Sequence, residues 1–285
     1  MSAEESHTVL QVAKRCIPRP LRAALRYYRF RLAALVQSLQ ERGKAFADEG
    51  IALPPPLLRY RVHGDFEGQS FVSRGRRCVD DLKDALKSMG KDFDSFGAVL
   101  DFGCGCGRTL RHLSNLPESS RLYGTDIDRQ AIKWCRSNIP FGRFTLNQMT
   151  PPLPFADGTF DLIYGISVFT HLDQNYQFAW LKELKRVAQS GGILLLTVHG
   201  TVAQDVAARE GNLSLTELAA LRETGFLYKS GETGKFKLDG LPDFYQAAFH
   251  TKLYVNEFWA RFFTIRKYFE AGLNGHQDLV LLSND

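Results

Sequence analysis

VLDFGCGCGRTLRHL, residues 99–113, sets an apolar run and one carboxylate ahead of three glycines spaced two apart. Val99 to Phe102 read as a short buried strand. Gly103, Gly105 and Gly107 allow positive φ and let backbone approach a ligand closely. A dinucleotide fingerprint needs the spacing GxGxxG; here the spacing is GxGxG, followed by Arg108. Asp101, two residues before the first glycine, would repel a pyrophosphate but can orient the loop or an ammonium group. The residues therefore favour a zwitterionic, nucleoside-bearing ligand over a dinucleotide. Cys104 and Cys106 stand too close together for the usual zinc spacing, and no second Cys or His pair completes a metal site.

From this stretch onward strand and helix alternate. A helix is expected over 107–116, a second strand in RLYGTDI and a second helix over 129–138. GRFTLNQ, FDLIYGISV and GGILLLTVHG supply strands three to five, with a helix at roughly 173–188 before the last. Such alternation implies a parallel sheet covered on both faces. FFTIRKYFE and QDLVLLSN, separated by AGLNGH, can pair as a terminal hairpin. Residues 200–260 form an aromatic-rich insertion.

LDFGCGCGR resembles the first motif of the class I S-adenosylmethionine-dependent methyltransferases, and the resemblance runs motif by motif over roughly residues 97–200. It implies a Rossmann-like α/β fold: a seven-stranded, mostly parallel sheet ending in an antiparallel hairpin. It also implies S-adenosylmethionine as cofactor, seated by Asp101, Gly103, Gly105 and Gly107. In YGTDID, Asp126 ends the second strand about 20 residues after the glycines, where a carboxylate can accept both ribose hydroxyls. The resemblance places its neighbour Ile127 on the adenine, while Asp128 reads as a helix cap. The third motif is similar to LNQMTPPLPFADGTFDLIYG; where many relatives carry an acidic residue, this chain offers Asn147, Gln148 and Met149, so Gln148, Met149 or backbone amides are expected at the adenine edge.

At the end of the fourth strand, GISVFTHL lacks the Asn/Asp-Pro-Pro-aromatic tetrad frequent in nucleic-acid base methyltransferases of this fold. His171 is the best placed general base, with His250 of the insertion as a second. The insertion is expected to cap the acceptor pocket with Tyr245, Phe249 and Tyr254 as aromatic walls. Arg61 is expected to pair with the cofactor's carboxylate.

The net charge of +5 is uneven: residues 1–50 hold nine Lys/Arg against five Asp/Glu. The body is thus nearly neutral and offers no electrostatic footprint for nucleic acid. Residues 20–40 read as a helix with Leu21, Leu25, Tyr28, Leu32, Leu35 and Leu39 in one stripe flanked by arginines. Such a helix suits packing on the main domain, a dimer partner, or peripheral contact with a membrane or another protein. The prolines of LPPPLLRYRVHG, residues 53–64, suggest an extended linker. Residues 1–75 are therefore expected to form a helical extension and linker, and residues 76–285 the methyltransferase domain with a cap at about 200–260. Five scattered cysteines argue for reduced thiols. The first 30 residues lack the apolar core of a secretory signal, and no stretch approaches the roughly 20 apolar residues of a membrane span, so the expected location is cytoplasmic.

Together these features point to a small-molecule methyltransferase, O-methylation being favoured over N- or C-methylation for a sugar or secondary-metabolite acceptor. The alternatives are a non-catalytic methyltransferase-like subunit and, disfavoured by the glycine spacing, a nicotinamide-dependent reductase.

Overall fold

Alternating strand residues sort the core of this protein into two layers. In the computed structural model, which describes residues 18–42, 50–117, 121–231, 233–234 and 237–285, the first strand, β1 (Ala98–Phe102), is buried along its whole length. Leu100 and Phe102 point to one face, where Trp180, Leu181 and Leu184 pack against them. Val99 points to the other, into a layer with Val79, Leu82 and Leu86. Burying side chains of this size contributes roughly 1.5–3 kcal/mol each, which is why the period-2 pattern fixes the strand's register.

The remaining sheet strands are β2 (Arg121–Asp126), β3 (Gly142–Leu146), β4 (Phe160–Gly165), β5 (Ala188–Val198), and β8 (Thr264–Leu273) and β9 (Gln277–Ser283) after the cap. Their spatial order is β3-β2-β1-β4-β5-β9-β8. All neighbours pair in parallel up to β5, whereas β9 runs antiparallel to both β5 and β8. The expected sheet and terminal hairpin are present. The order reverses between β1 and β4, and at such a switch point the loops leaving the strands part to form a crevice.

Helix α1 (Arg19–Gln40) is held through Phe30, whose ring lies 4.5 Å from Tyr60 and 4.9 Å from Phe66. Its expected stripe, Leu21, Leu25, Tyr28, Leu32, Leu35 and Leu39, faces solvent. Residues 53–64 do not form an extended linker: Pro56–His63 is a helix, α2. Pro56 occupies its first turn, where a missing N–H costs nothing, and Gly64 closes it in the left-handed conformation. Within it the buried Arg59 donates to the Pro54 carbonyl at 2.7 Å and to Glu41 at 2.6 Å. Helix α3 (Gly68–Lys87), capped by Glu67, begins well before the expected residue 76.

After β1 the expected helix is replaced by turns and a short 3₁₀ segment, Leu110–Leu113. Thr109 gives it no side-chain cap, and Arg111 is drawn away to donate to the Ile51 carbonyl at 2.6 Å. Helices α4 (Arg129–Asn138) and α5 (Gln174–Val187) match expectation. The insertion comprises α6 (Thr201–Arg209), α7 (Leu215–Thr224), the two-stranded ribbon β6 (Phe226–Lys229) and β7 (Ala247–His250), and α8 (Lys252–Phe258). Among the described residues no helix is long and apolar enough to cross a membrane.

Candidate functional site

The glycine loop leaves β1 at the crevice and is fastened to β2. Gly103 and Cys104 donate their N–H groups to the Thr125 carbonyl at 2.8 and 2.9 Å, and Gly105 donates to Asp126 Oδ2 at 2.7 Å. Gly105 has φ +52, and a Cβ there would stand 2.4 Å from Val62 of α2. Only glycine allows both the turn and the helix pressed over it. Cys104 and Cys106 are buried between the glycines, with thiols pushed well above their ordinary pKa by burial. Cys16 lies outside the described residues.

Asp126 closes the loop from the end of β2. Its Oδ1 accepts the Asp128 N–H at 2.7 Å, and burial raises its pKa despite these bonds. Asp128 caps α4, accepting from Gln130 and Ala131, as expected. Asp101 lies deeper. Its Oδ2 has no hydrogen-bond partner. Burial, and secondarily the neighbouring Asp126, push its carboxyl up to about 8.

These groups line a cavity of about 400 Å³ that also takes in Tyr60, Arg108, Ser167, His171 and Tyr245. A slot of about 70 Å³, walled by Asn147, Met149, Leu172 and Phe244, shares Gly103, Asp126, Ile127 and Tyr245 with it. The slot is apolar enough to take a nucleobase. Gln148 is not among its walls: the side chain is exposed, and its carbonyl accepts from Asn147 Nδ2 at 2.8 Å.

Ser167 follows β4 with φ +60, a conformation a non-glycine residue holds only when surroundings fix it. Its N–H donates to Thr197 Oγ1 at 2.8 Å, its Oγ accepts from Gln277 at 2.8 Å, and its carbonyl accepts the Tyr245 hydroxyl at 2.9 Å. Tyr245 in turn stacks on His171 with ring centres 4.3 Å apart. His171 Nδ1 lies 2.6 Å from the Gln246 carbonyl. A carbonyl only accepts, so Nδ1 carries the proton and Nε2 keeps its lone pair. Burial lowers the ring's pKa to about 4 and holds it neutral.

The other expected residues of the insertion are placed elsewhere. His250 is fully buried in the ribbon, with Nε2 2.9 Å from the Gln177 side chain, and does not line the cavity. Phe249 alternates to the opposite face and packs with Leu213 and Leu221. Tyr254 joins the core beneath the sheet, its hydroxyl accepting from Gln174 at 2.8 Å. Arg61 does reach the cavity, but on the Asp126 side: it pairs with Asp128 at 2.6 Å and donates to the Asp239 carbonyl at 2.8 Å. It thereby ties residues 239–245, which include Leu241 and Tyr245 of the lining, to the cavity. Near Asp101 the cation is Arg108, which donates to the Val62 carbonyl at 2.9 Å while its Nε lacks a partner. Its sequence signal is its position directly after the last glycine. Ser167 carries no signal beyond ending the fourth strand.

An amino-acid ammonium suits the unpartnered carboxyl oxygen of Asp101, ribose hydroxyls suit Asp126, and adenine suits the slot. Fold and donor set are similar to those of class I S-adenosylmethionine-dependent methyltransferase domains. Residues 100–196 match the family model described as Methyltransferase domain. Among curated proteins the chain is similar to ajmaline N-methyltransferase of Rauvolfia serpentina, 29% identical over 65% of this chain and 66% of that one. The matches span about two thirds or less of the curated relatives' own length. Two solved structures share the fold. The PH0226 protein of Pyrococcus horikoshii OT3 has a TM-score of 0.55 and 20% identity, with 79% of this chain and 98% of that one covered. Magnesium protoporphyrin IX methyltransferase from Synechocystis PCC 6803, with bound SAH, has a TM-score of 0.52 and 14% identity, with 92% and 99% covered.

Proposed function

We propose that this protein transfers the methyl group of S-adenosylmethionine to a small organic acceptor, with a hydroxyl oxygen favoured over nitrogen or carbon. The observation that carries the preference for oxygen is His171. Its Nδ1 is held by the Gln246 carbonyl, which leaves the lone pair on Nε2, and the residue lines the cavity shared with the glycine loop and Asp126. The sulfonium of the cofactor supplies an already activated methyl group. What the chain must add is alignment and exclusion of water. Asp126 would hold the ribose, Asp101 the ammonium, and the slot at Ile127 and Met149 the adenine. An acceptor hydroxyl taking the methyl group from sulfur would pass its proton to His171 Nε2. The products would be a methyl ether, a neutral thioether and an imidazolium that returns its proton to water.

An amine acceptor with a free lone pair needs no such base. The name of the Rauvolfia relative records N-methylation, so the acceptor atom is the point to test. Labelled S-adenosylmethionine is incubated with a panel of sugars, phenols and amines, using the wild type and His171→Ala. Methylation of hydroxyl acceptors that collapses in the variant supports the reading. Turnover of amines alone, equal in both proteins, refutes the preference for oxygen. Cofactor binding with no turnover across the panel favours a non-catalytic subunit.

A further inference from the structure

Past Ser167 the cofactor cavity meets a second cavity of about 550 Å³, and Arg108 and Ser167 line both. The second cavity is lined by Arg74 and Arg77 of α3, His276 of the β8–β9 turn, Gln277 at the start of β9 and Glu210 after α6. Arg74 and Arg77 are three residues apart and so project from the same face of the helix. Both are exposed, and among the described residues neither makes a hydrogen bond or ion pair. Asp81, one turn beyond Arg77, is near enough to feel its charge, but its Oδ2 accepts the Asn274 N–H at 2.6 Å. Glu210 Oε2 accepts from Asn212 at 3.1 Å. At the junction the buried Arg108 Nε has no partner.

Three arginines against one glutamate thus meet in a single cleft beside the methyl-transfer site. They do so in a chain whose residues beyond position 50 are close to neutral overall. Arg74 and Arg77 do not line the cofactor cavity, so they are poorly placed to neutralise the cofactor itself. Guanidinium groups present paired donors that match a carboxylate or phosphate oxygen for oxygen.

We propose that this cleft binds an anionic group of the methyl acceptor, a carboxylate or phosphate, with Arg74 and Arg77 as its counter-ions and Ser167 marking the passage to the reacting end. The proposal rests on the methyltransferase reading of the adjoining cavity.

The test is calorimetric and uses the full chain loaded with S-adenosylhomocysteine. Inorganic phosphate and benzoate are titrated separately at low, constant ionic strength, and their two arms distinguish a phosphate from a carboxylate preference. The proteins compared are the wild type, the exposed double variant Arg74→Gln/Arg77→Gln, and Arg74→Lys/Arg77→Lys. The expected result is binding of at least one anion to the loaded wild type, weakened tenfold or more by the Gln variant. The Lys variant should restore part of the loss, and S-adenosylhomocysteine affinity should be equal in all three. The proposal is overturned if neither anion binds, if the Gln variant binds it equally, or if anion and S-adenosylhomocysteine exclude one another. In the last case the arginines serve the cofactor's carboxylate. Failure of S-adenosylhomocysteine itself to bind overturns the underlying reading and the proposal together, and is seen separately in the loading titration.

Discussion

Replacing Asp101 by Asn removes a carboxyl that is 3% exposed and has an unpartnered oxygen. Its folded pKa of about 8 lies far above the ordinary aspartate value of 3.8, chiefly through burial. The fold therefore favours the protonated form. The stability Asp101 contributes is intact below about pH 4 and is lost as pH rises through about 8. Each unit of pH in that window removes roughly 1.4 kcal/mol. Between pH 5 and pH 7 the wild type should thus lose about 2.7 kcal/mol relative to Asp101→Asn, because other titrating groups contribute equally to both. Urea denaturation of the two proteins without cofactor, at pH 5, 6 and 7, measures the difference directly. A growing advantage of the Asn variant with pH is the expected result. A constant difference would mean that Asp101 is already ionised at pH 5 and that the reasoning from burial is wrong. The same substitution should weaken S-adenosylmethionine binding, since a carboxyl can give up its proton when an ammonium docks beside it and an amide cannot.

Removing His171 tests the base. His171→Ala should lower turnover of a hydroxyl acceptor by roughly 10²–10⁴-fold while leaving S-adenosylhomocysteine affinity unchanged by calorimetry. Because burial lowers its pKa to about 4, the base form is present above that pH, and the rate profile of the wild type should show no histidine limb between pH 6 and 8. Arg61→Ala cuts the tie between Asp128 and the Asp239 carbonyl. Loss of one charge-assisted bond predicts about tenfold faster S-adenosylhomocysteine release in stopped flow; an unchanged rate would show that Arg61 does not hold the segment closed.

The strands and the glycine loop were legible because short-range constraints fix them. Leu100 and Phe102 alternate with Val99, and φ +52 at Gly105 admits few other residues. Asp126 was legible by its distance from that loop. Long-range pairings left no local trace: Arg61 meets a carbonyl 178 residues away, so its side chain points to the Asp126 end rather than toward Asp101. His250 and Phe249 sit in an aromatic run that resembles a pocket wall, but β7 pairs with β6 in a register that buries both. The helix expected after the glycines lost to its tertiary surroundings, with Arg111 recruited to the Ile51 carbonyl. Pro56, in the stretch expected to be an extended linker, starts a helix instead. The arginine cleft joins α3, the glycine loop and the β8–β9 turn, which only the folded sheet brings together.

The central claim is that the crevice at β1, β2 and β4 seats S-adenosylmethionine. Parallel calorimetric titrations with S-adenosylmethionine and NADH, on the wild type and on Asp126→Ala, test it most directly. The account predicts one S-adenosylmethionine bound per chain, no heat from NADH, and an affinity about 10²-fold weaker in the variant, for the loss of two ribose hydrogen bonds to a carboxylate. Binding of NADH alone, or an S-adenosylmethionine affinity indifferent to Asp126, would contradict it.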